Sequence, residues 1–346
     1  MRSWNRLRTA AVALAALGAL SLGACSSGPA PAETGAAESG APGAAGAFPV
    51  TIEHAFGETT IEAEPERVVT WGWGSADAAI ALGVIPVAIP FESYAGDEEG
   101  VLPCIREALD EAGAQTPTIL ANSGDEPPFE EILAADPDVI LAPYSGLTQE
   151  QYDLLSGIAP VVAYPEEPWA TPWRDIVTLT AQALGREAEG EELLAGIDAQ
   201  IADAAEAHPE FAGKTIAAVW DFAGSFYVYK EADPRVEFLL DLGFVSAPSV
   251  AELQTDEATF YYTLSYENLD RLQSDVLLAY AGSQEEADAF LGAGYAQSMS
   301  QVQDGTVATL VGTEFISAVS PPTALSLTWG LDEVVESLVP AATAAG

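Results

Sequence analysis

Phe129-Glu-Glu-Ile-Leu-Ala-Ala-Asp-Pro-Asp-Val-Ile-Leu-Ala142 aligns without gaps on Tyr266-Glu-Asn-Leu-Asp-Arg-Leu-Gln-Ser-Asp-Val-Leu-Leu-Ala279. Glu130 falls on Glu267, Asp138 falls on Asp275, and an apolar run follows each aspartate. Each copy reads as a short helix feeding a buried strand. A chain that builds one unit twice predicts two similar lobes, and paired lobes commonly hold a cleft between them.

Working outward, Leu82-Gly83 recurs as Leu242-Gly243, in each case a helix end followed by an apolar strand. In the first half, Val50–His54 and Thr60–Glu62 alternate apolar with polar about Phe56-Gly57, which predicts a hairpin. Strands are expected at Val68–Trp71, Val84–Ile89, Thr118–Leu120 and Pro160–Tyr164, with helices at Ala76–Leu82 and Gln149–Gly157. This alternation suggests parallel sheets covered by helices, repeated from Thr215 to Leu310 and closed by a helix near Ala324–Leu338. Between the halves, Arg186–His208 places Leu193, Leu194, Ile197 and Ile201 on one helical face, with Gly185 and Pro209 at its ends. Such a helix would be roughly 33 Å long.

The first residues carry Arg2, Arg6 and Arg8, then the apolar stretch Ala10–Leu22, then Leu22-Gly23-Ala24-Cys25. That order reads as a secretion signal over 1–24, and the apolar stretch is too short to span a bilayer. Leu-Gly-Ala-Cys looks like a bacterial lipobox, which makes Cys25 the expected lipidation site and places the protein at the extracytoplasmic face of the cell membrane. Residues 25–47, rich in Gly, Ala, Pro and Ser, read as a flexible tether. The other cysteine, Cys104, has no partner in the sequence and is expected to be a small packed residue.

The 346 residues contain 11 Lys and Arg against 53 Asp and Glu, a formal net charge of -42. Such a surface repels nucleic acid and anionic lipid heads. The sequence has two histidines, His54 and His208, expected at the surface or at a cap. It has no G-x-S-x-G elbow, no P-loop and no complete G-x-G-x-x-G. Glu98-Glu99 and Glu166-Glu167 read as solvated loop carboxylates. A secreted hydrolase is the alternative from another class, but no candidate nucleophile has a histidine near it in sequence. The chain is therefore expected to be no enzyme. Two distant histidines do not supply a zinc or manganese cluster. Tyr261-Tyr262 could suggest phenolate ligation of ferric iron, yet neighbours on a strand point to opposite faces, so the pair should divide between core and surface.

Aromatic residues follow strand after strand: Trp71 and Trp73, Phe91 and Tyr94, Tyr144, Trp169 and Trp173 in the first half. Trp220 and Phe222, then Phe226, Tyr227 and Tyr229, then Tyr280, do the same in the second. Ligands of parallel sheets bind beyond the carboxyl ends of the strands. This placement predicts a ring-lined cleft suited to a bulky, partly apolar small molecule.

Glu-Pro-Glu-Arg-Val-Val (64–69), Ala-Leu-Gly-Val-Ile-Pro-Val (81–87), Tyr144 to Pro160, Ala-Leu-Gly-Arg-Glu (183–187) and Leu-Ser-Tyr-Glu-Asn-Leu (264–269) occur in an order and spacing that resemble a known family. These are the substrate-binding lipoproteins of ABC importers for iron-siderophores, cobalamin and haem, and the resemblance covers about residues 48–340. It implies an α/β fold of two Rossmann-like lobes joined by a single long helix, with the ligand cleft between them. The corresponding divisions are an N-terminal lobe at 48–185, a linking helix at 186–208, a C-terminal lobe at 209–320, and a C-terminal helix and tail at 321–346. It further implies that Glu130 and Glu267 dock the permease subunits of the transporter, that Arg235 in Asp233-Pro-Arg235 faces the ligand, and that the protein is a monomer. Iron would arrive as Fe(III) inside the siderophore, with no metal bound by the protein directly and no cofactor. The ligand-binding set is then Trp71, Trp73, Phe91, Tyr94, Tyr144, Trp169, Trp220, Phe222, Tyr229, Arg235 and Tyr280. After Thr313-Glu314-Phe315 the chain has Ile316 and Ser317 where ferric-catecholate binders of the family place an arginine, which favours a ferric hydroxamate. A haem or cobalamin receptor of the same fold is the alternative, with Tyr144 or Tyr280 as a candidate haem ligand.

Overall fold

The computed structural model describes residues 48–122, 126–255, 258 and 260–346. The signal segment, Cys25 and the tether lie outside the described residues. Among the described residues no helix is long and apolar enough to cross a membrane.

A hairpin opens the fold, β1 (Val50–His54) against β2 (Gly57–Ile61), turned at Gly57 with a φ of 125° that suits glycine. The N-terminal lobe then alternates β3 (Val68–Thr70), α1 (Ser75–Ala81), β4 (Ala88–Pro90), α2 (Pro103–Glu111), β5 (Thr118–Leu120), α3 (Phe129–Ala134), β6 (Val139–Ala142), α4 (Gln149–Ser156), β7 (Val161–Ala163) and α5 (Trp173–Ala183). Its five strands are all parallel, in the order β5-β4-β3-β6-β7. β4 is shorter than the sequence suggests, because Pro86 has no N–H to give a ladder and Val84–Val87 stays irregular.

Helix α6 (Glu187–Ala207) crosses to the C-terminal lobe with Ile197 and Ile201 buried. Gly190 lets it approach α5 closely, since a Cβ there would stand 2.6 Å from that of Ala181. The second lobe runs β8 (Thr215–Phe222), β9 (Ser225–Tyr229), α7 (Pro234–Asp241), β10 (Val245–Ser246), α8 (Pro248–Leu253), β11 (Tyr261–Thr263), β12 (Val276–Ala281), α9 (Gln284–Gly292), α10 (Ser300–Asp304), β13 (Val307–Val311), α11 (Thr313–Val319) and α12 (Ser326–Ala344). Its sheet is mixed: β10, β12 and β13 run parallel with β8, whereas β9 is antiparallel to both of its neighbours, β8 and β11. The closing helix extends past the expected Leu338 to Ala344, carrying Pro340 inside it.

The internal echo has a physical basis. Asp138 accepts the N–H groups of Glu66 (2.7 Å) and Arg67 (3.0 Å), just ahead of β3. Asp275 accepts the N–H (2.7 Å) and hydroxyl (2.8 Å) of Thr215, where β8 begins. Each aspartate thus ties the start of the neighbouring parallel strand and fixes its register. The helical part differs between copies, an α-helix in the first and a 3-10 turn over Tyr266–Arg271 in the second.

One apolar cluster runs beneath both lobes. Ala78, Trp173, Ile176 and Val177 of the N-terminal lobe meet Ile197 and Ile201 of α6, and Ile216, Leu278, Val334 and Leu338 of the C-terminal lobe. Trp329 of α12 and Leu325 just ahead of it also pack against the α1–α2 cluster. Continuous packing of this kind resists shear between the lobes. His54 corrects the expectation of a surface histidine: it is 7% exposed, packed against Tyr152 (5.1 Å between ring centroids) and bonded to Thr59 at 2.9 Å. Cys104 is buried beside Asp77.

Candidate ligand-binding cleft

The cleft is built from the ends of strands and the turns that follow them. After β6, Tyr144 emerges beside Gly72, whose φ of 84° and missing Cβ allow the Tyr144 carbonyl to pass; a Cβ there would lie 2.2 Å from that oxygen. Trp169 follows β7, stands edge-on to Tyr144 (5.6 Å) and is 46% exposed at the mouth. Opposite them, Asp233 caps α7 by accepting the Arg235 N–H at 2.9 Å, with Pro234 at the first helical position. Tyr144, Trp169, Thr171, Asp233, Pro234, Arg235, Glu237, Phe260, Tyr261 and Pro321 enclose a cavity of about 220 Å³.

Arg235 is the cation of this cavity. Its guanidinium lies 4.0 Å over the Tyr229 ring, and Nε stands 2.8 Å from Asp233 Oδ1 as an ion pair without hydrogen-bond alignment. Asp233 is 1% exposed, and burial raises its carboxyl against the pull of Arg235. Burial likewise pushes Tyr94 and Tyr229 up to about 12, and raises Tyr144 and Tyr280, with Arg235 opposing each. At neutral pH the unliganded phenols keep their protons and can donate hydrogen bonds.

Below Arg235 the aromatic chain continues from Tyr229 to Tyr280 (5.8 Å) to Trp220 (6.4 Å) to Phe222 (5.2 Å). Trp220 Nε1 and the Tyr280 hydroxyl are buried and have no hydrogen-bond partner among the described residues. Orphaned donors of this kind cost roughly 1–3 kcal/mol each until an acceptor arrives.

Not every aromatic of the expected set reaches this cavity. Trp71 is 5% exposed within the N-terminal core, packed among Val69, Leu147 and Tyr164. Trp73, two residues on, turns the other way and donates from Nε1 to the Pro321 carbonyl at 3.0 Å, joining the lobes. Phe91 covers Gly100, while Tyr94 is 37% exposed on the N-terminal side. In the second half the aromatics lie in strands rather than loops: Trp220 and Phe222 end β8, Tyr229 ends β9 and Tyr280 lies in β12. Trp173 is a buried residue of α5.

Asp233, Glu237, Phe260, Tyr261 and Pro321 were not singled out as contacts by sequence. Tyr261 carries the one signal: its neighbour on the strand, Tyr262, is fully buried, which sends Tyr261 outward into the cleft, as the alternation requires. A wider concavity of about 360 Å³ adjoins the cleft, but its lining of Glu166, Glu167 and Asp175 holds no cation or orphaned donor. Volume alone therefore does not choose the site.

Two lobes about one long helix, with an aromatic cleft at the strand ends, define a binding-protein architecture. The chain belongs to the periplasmic binding protein family, whose model matches residues 68–312. It is 30% identical over 244 residues, 68% of this chain and 70% of the relative, to the probable siderophore-binding lipoprotein YfiY of Bacillus subtilis. Among solved structures it resembles PiaA of Streptococcus pneumoniae TIGR4 in complex with ferrichrome, with 35% identity, a TM-score of 0.75, and 86% of this chain and 100% of that chain covered. It also resembles Staphylococcus aureus SirA complexed with staphyloferrin B, at 25% identity and a TM-score of 0.65, covering 83% of this chain and 98% of that one.

Proposed function

We propose that this protein is a lipid-anchored extracytoplasmic receptor that captures an iron(III)-siderophore, of the ferric hydroxamate class, and delivers it to an ABC importer. The observation that carries the reading is the cation of the cleft, Arg235 stacked over Tyr229, with the orphaned Tyr280 hydroxyl and Trp220 N–H buried behind its lining. A ferric hydroxamate presents a compact shell of acceptor oxygens to such donors and an apolar periphery to Tyr144 and Trp169. In this reading iron stays inside its chelator.

Charge supports the hydroxamate class. Ile316 and Ser317 are buried in α11 and supply no cation, while Arg235 shares the cavity wall with Asp233 and Glu237. One arginine among carboxylates is poorly matched to a trianionic catecholate. The similarity to a ferrichrome-bound protein points the same way, since ferrichrome holds its iron through hydroxamates. Glu130 and Glu267 are both exposed, each the second residue of its helical turn, and serve as permease contacts in this reading. Cys25 would carry the lipid.

Quenching of tryptophan fluorescence, titrated with ferrichrome, a ferric catecholate, haem and cobalamin, tests the assignment. Saturable quenching by ferrichrome at micromolar concentration or below is expected; no response to any of the four overturns it.

A further inference from the structure

Arg174 belongs to none of the sets above, yet it touches the cleft indirectly. It is the second residue of α5, and its guanidinium lies 4.4 Å over the neighbouring Trp173 ring. From there Nη2 reaches Asp198 of α6 (2.8 Å) and Asp241 of α7 (3.1 Å), while Nη1 reaches Glu237 of α7 (3.4 Å). One cation therefore serves three carboxylates from two other helices. Glu237 is the one that also lines the cavity, two residues from Arg235 on the same helix.

We infer that Arg174 is a positioning residue for ligand capture: by holding Glu237, it neutralises a carboxylate on the cavity wall whose free charge would repel the iron-bound oxygens. This rests on the reading of the cleft as a ferric-siderophore site. Without Arg174, Glu237, Asp198 and Asp241 repel one another. Glu237 lines the cavity, so its unpaired charge is then presented to the ligand. Arg174 thus controls the effective charge of the cleft without touching what the cleft holds.

The test is a rescue experiment on the full chain, with ferrichrome as probe and its Kd read by tryptophan quenching. Arg174→Met should weaken binding roughly tenfold. Adding Glu237→Gln to it should restore binding to within about threefold of the wild type. A clamp that mattered only for stability would leave Kd unchanged in Arg174→Met as long as urea unfolding shows that variant folded under the assay conditions. Binding unchanged in Arg174→Met, or a double variant no tighter than the single, overturns the inference. Should Arg174→Met not fold, Asp198→Asn with Asp241→Asn decides instead. Those changes leave Arg174 to Glu237 alone, so affinity is expected to hold or rise; a roughly tenfold loss overturns the inference. If wild-type protein binds no ferric ligand, the functional reading itself has failed, an outcome distinct from all of these.

Discussion

Glu92 gives the fold a testable pH response. It lies between Phe91 and Tyr94 on the turn after β4 and borders a narrow void with Trp73, Asp77 and Ile105. Burial pushes its carboxyl from the ordinary 4.5 up to about 8, and the charge of Asp77 adds to the rise. Asp77 is 1% exposed and is itself raised by burial, against the hydrogen bond it accepts from Thr323. Because the folded state favours protonated Glu92, its contribution to stability is fully present below 4.5 and is lost as pH rises through about 8. At 1.36 kcal/mol per pH unit the interval sets a ceiling of ~5 kcal/mol. Asp77 competes for the same proton, which brings the expected share down to ~2–3 kcal/mol. Glu92→Gln removes the titration, so it should gain ~2 kcal/mol over wild type at about pH 9 and nothing at about pH 4. Urea unfolding of both proteins across that range measures it. Parallel pH profiles would refute the reasoning.

Other consequences concern the hairpin, the echo and the transporter. His54 accepts the Phe56 N–H at Nδ1 (3.2 Å), which assigns its proton to Nε2 as donor to Thr59. Burial lowers its pKa, so its contribution is present above 6.5 and lost as pH falls through the lower folded value. His54→Ala should cost ~1–3 kcal/mol at neutral pH and flatten the acid limb of the stability profile seen by thermal unfolding. Asp275 is held below the usual carboxylate range by its Thr215 bonds, giving stability present above 3.8 and lost as pH falls through the lower folded value. Asp275→Asn should cost ~1–2 kcal/mol at neutral pH, with the deficit fading in acid, as chemical denaturation can follow. Glu130→Ala with Glu267→Ala should leave ligand affinity within about twofold while cellular iron uptake falls; unimpaired uptake would remove the docking role.

The division into two lobes could be read from the echo because Asp138 and Asp275 do the same mechanical work at two strand starts. The antiparallel strands of the second sheet were hidden. β8 turns into β9 at Ala223-Gly224, both at positive φ (50° and 79°), and alanine there lacks the Asn-Gly signal that marks such hairpins. Phe226–Tyr229 then reads as an aromatic loop instead of a strand. In the cleft, Tyr144, Trp169 and Arg235 could be placed by their position after strands or at a helix start. Trp71 and Trp73 look equivalent in sequence, yet the turn at Gly72 sends one into the core and the other toward Pro321. Glu237 and Pro321 depend on how α7 and the segment before α12 pack, which no local pattern encodes. His54 looks exposed in sequence because its burial comes from Tyr152, 98 residues away.

The central claim is that the donors around Arg235 hold a ferric siderophore between the lobes. Isothermal titration of ferrichrome into wild type and Arg235→Leu tests it most directly. The account predicts one ligand per chain at micromolar affinity or tighter, weakened at least ~30-fold in the variant, on the order of 2 kcal/mol for a charge-assisted contact. Equal affinity in the two proteins would contradict it.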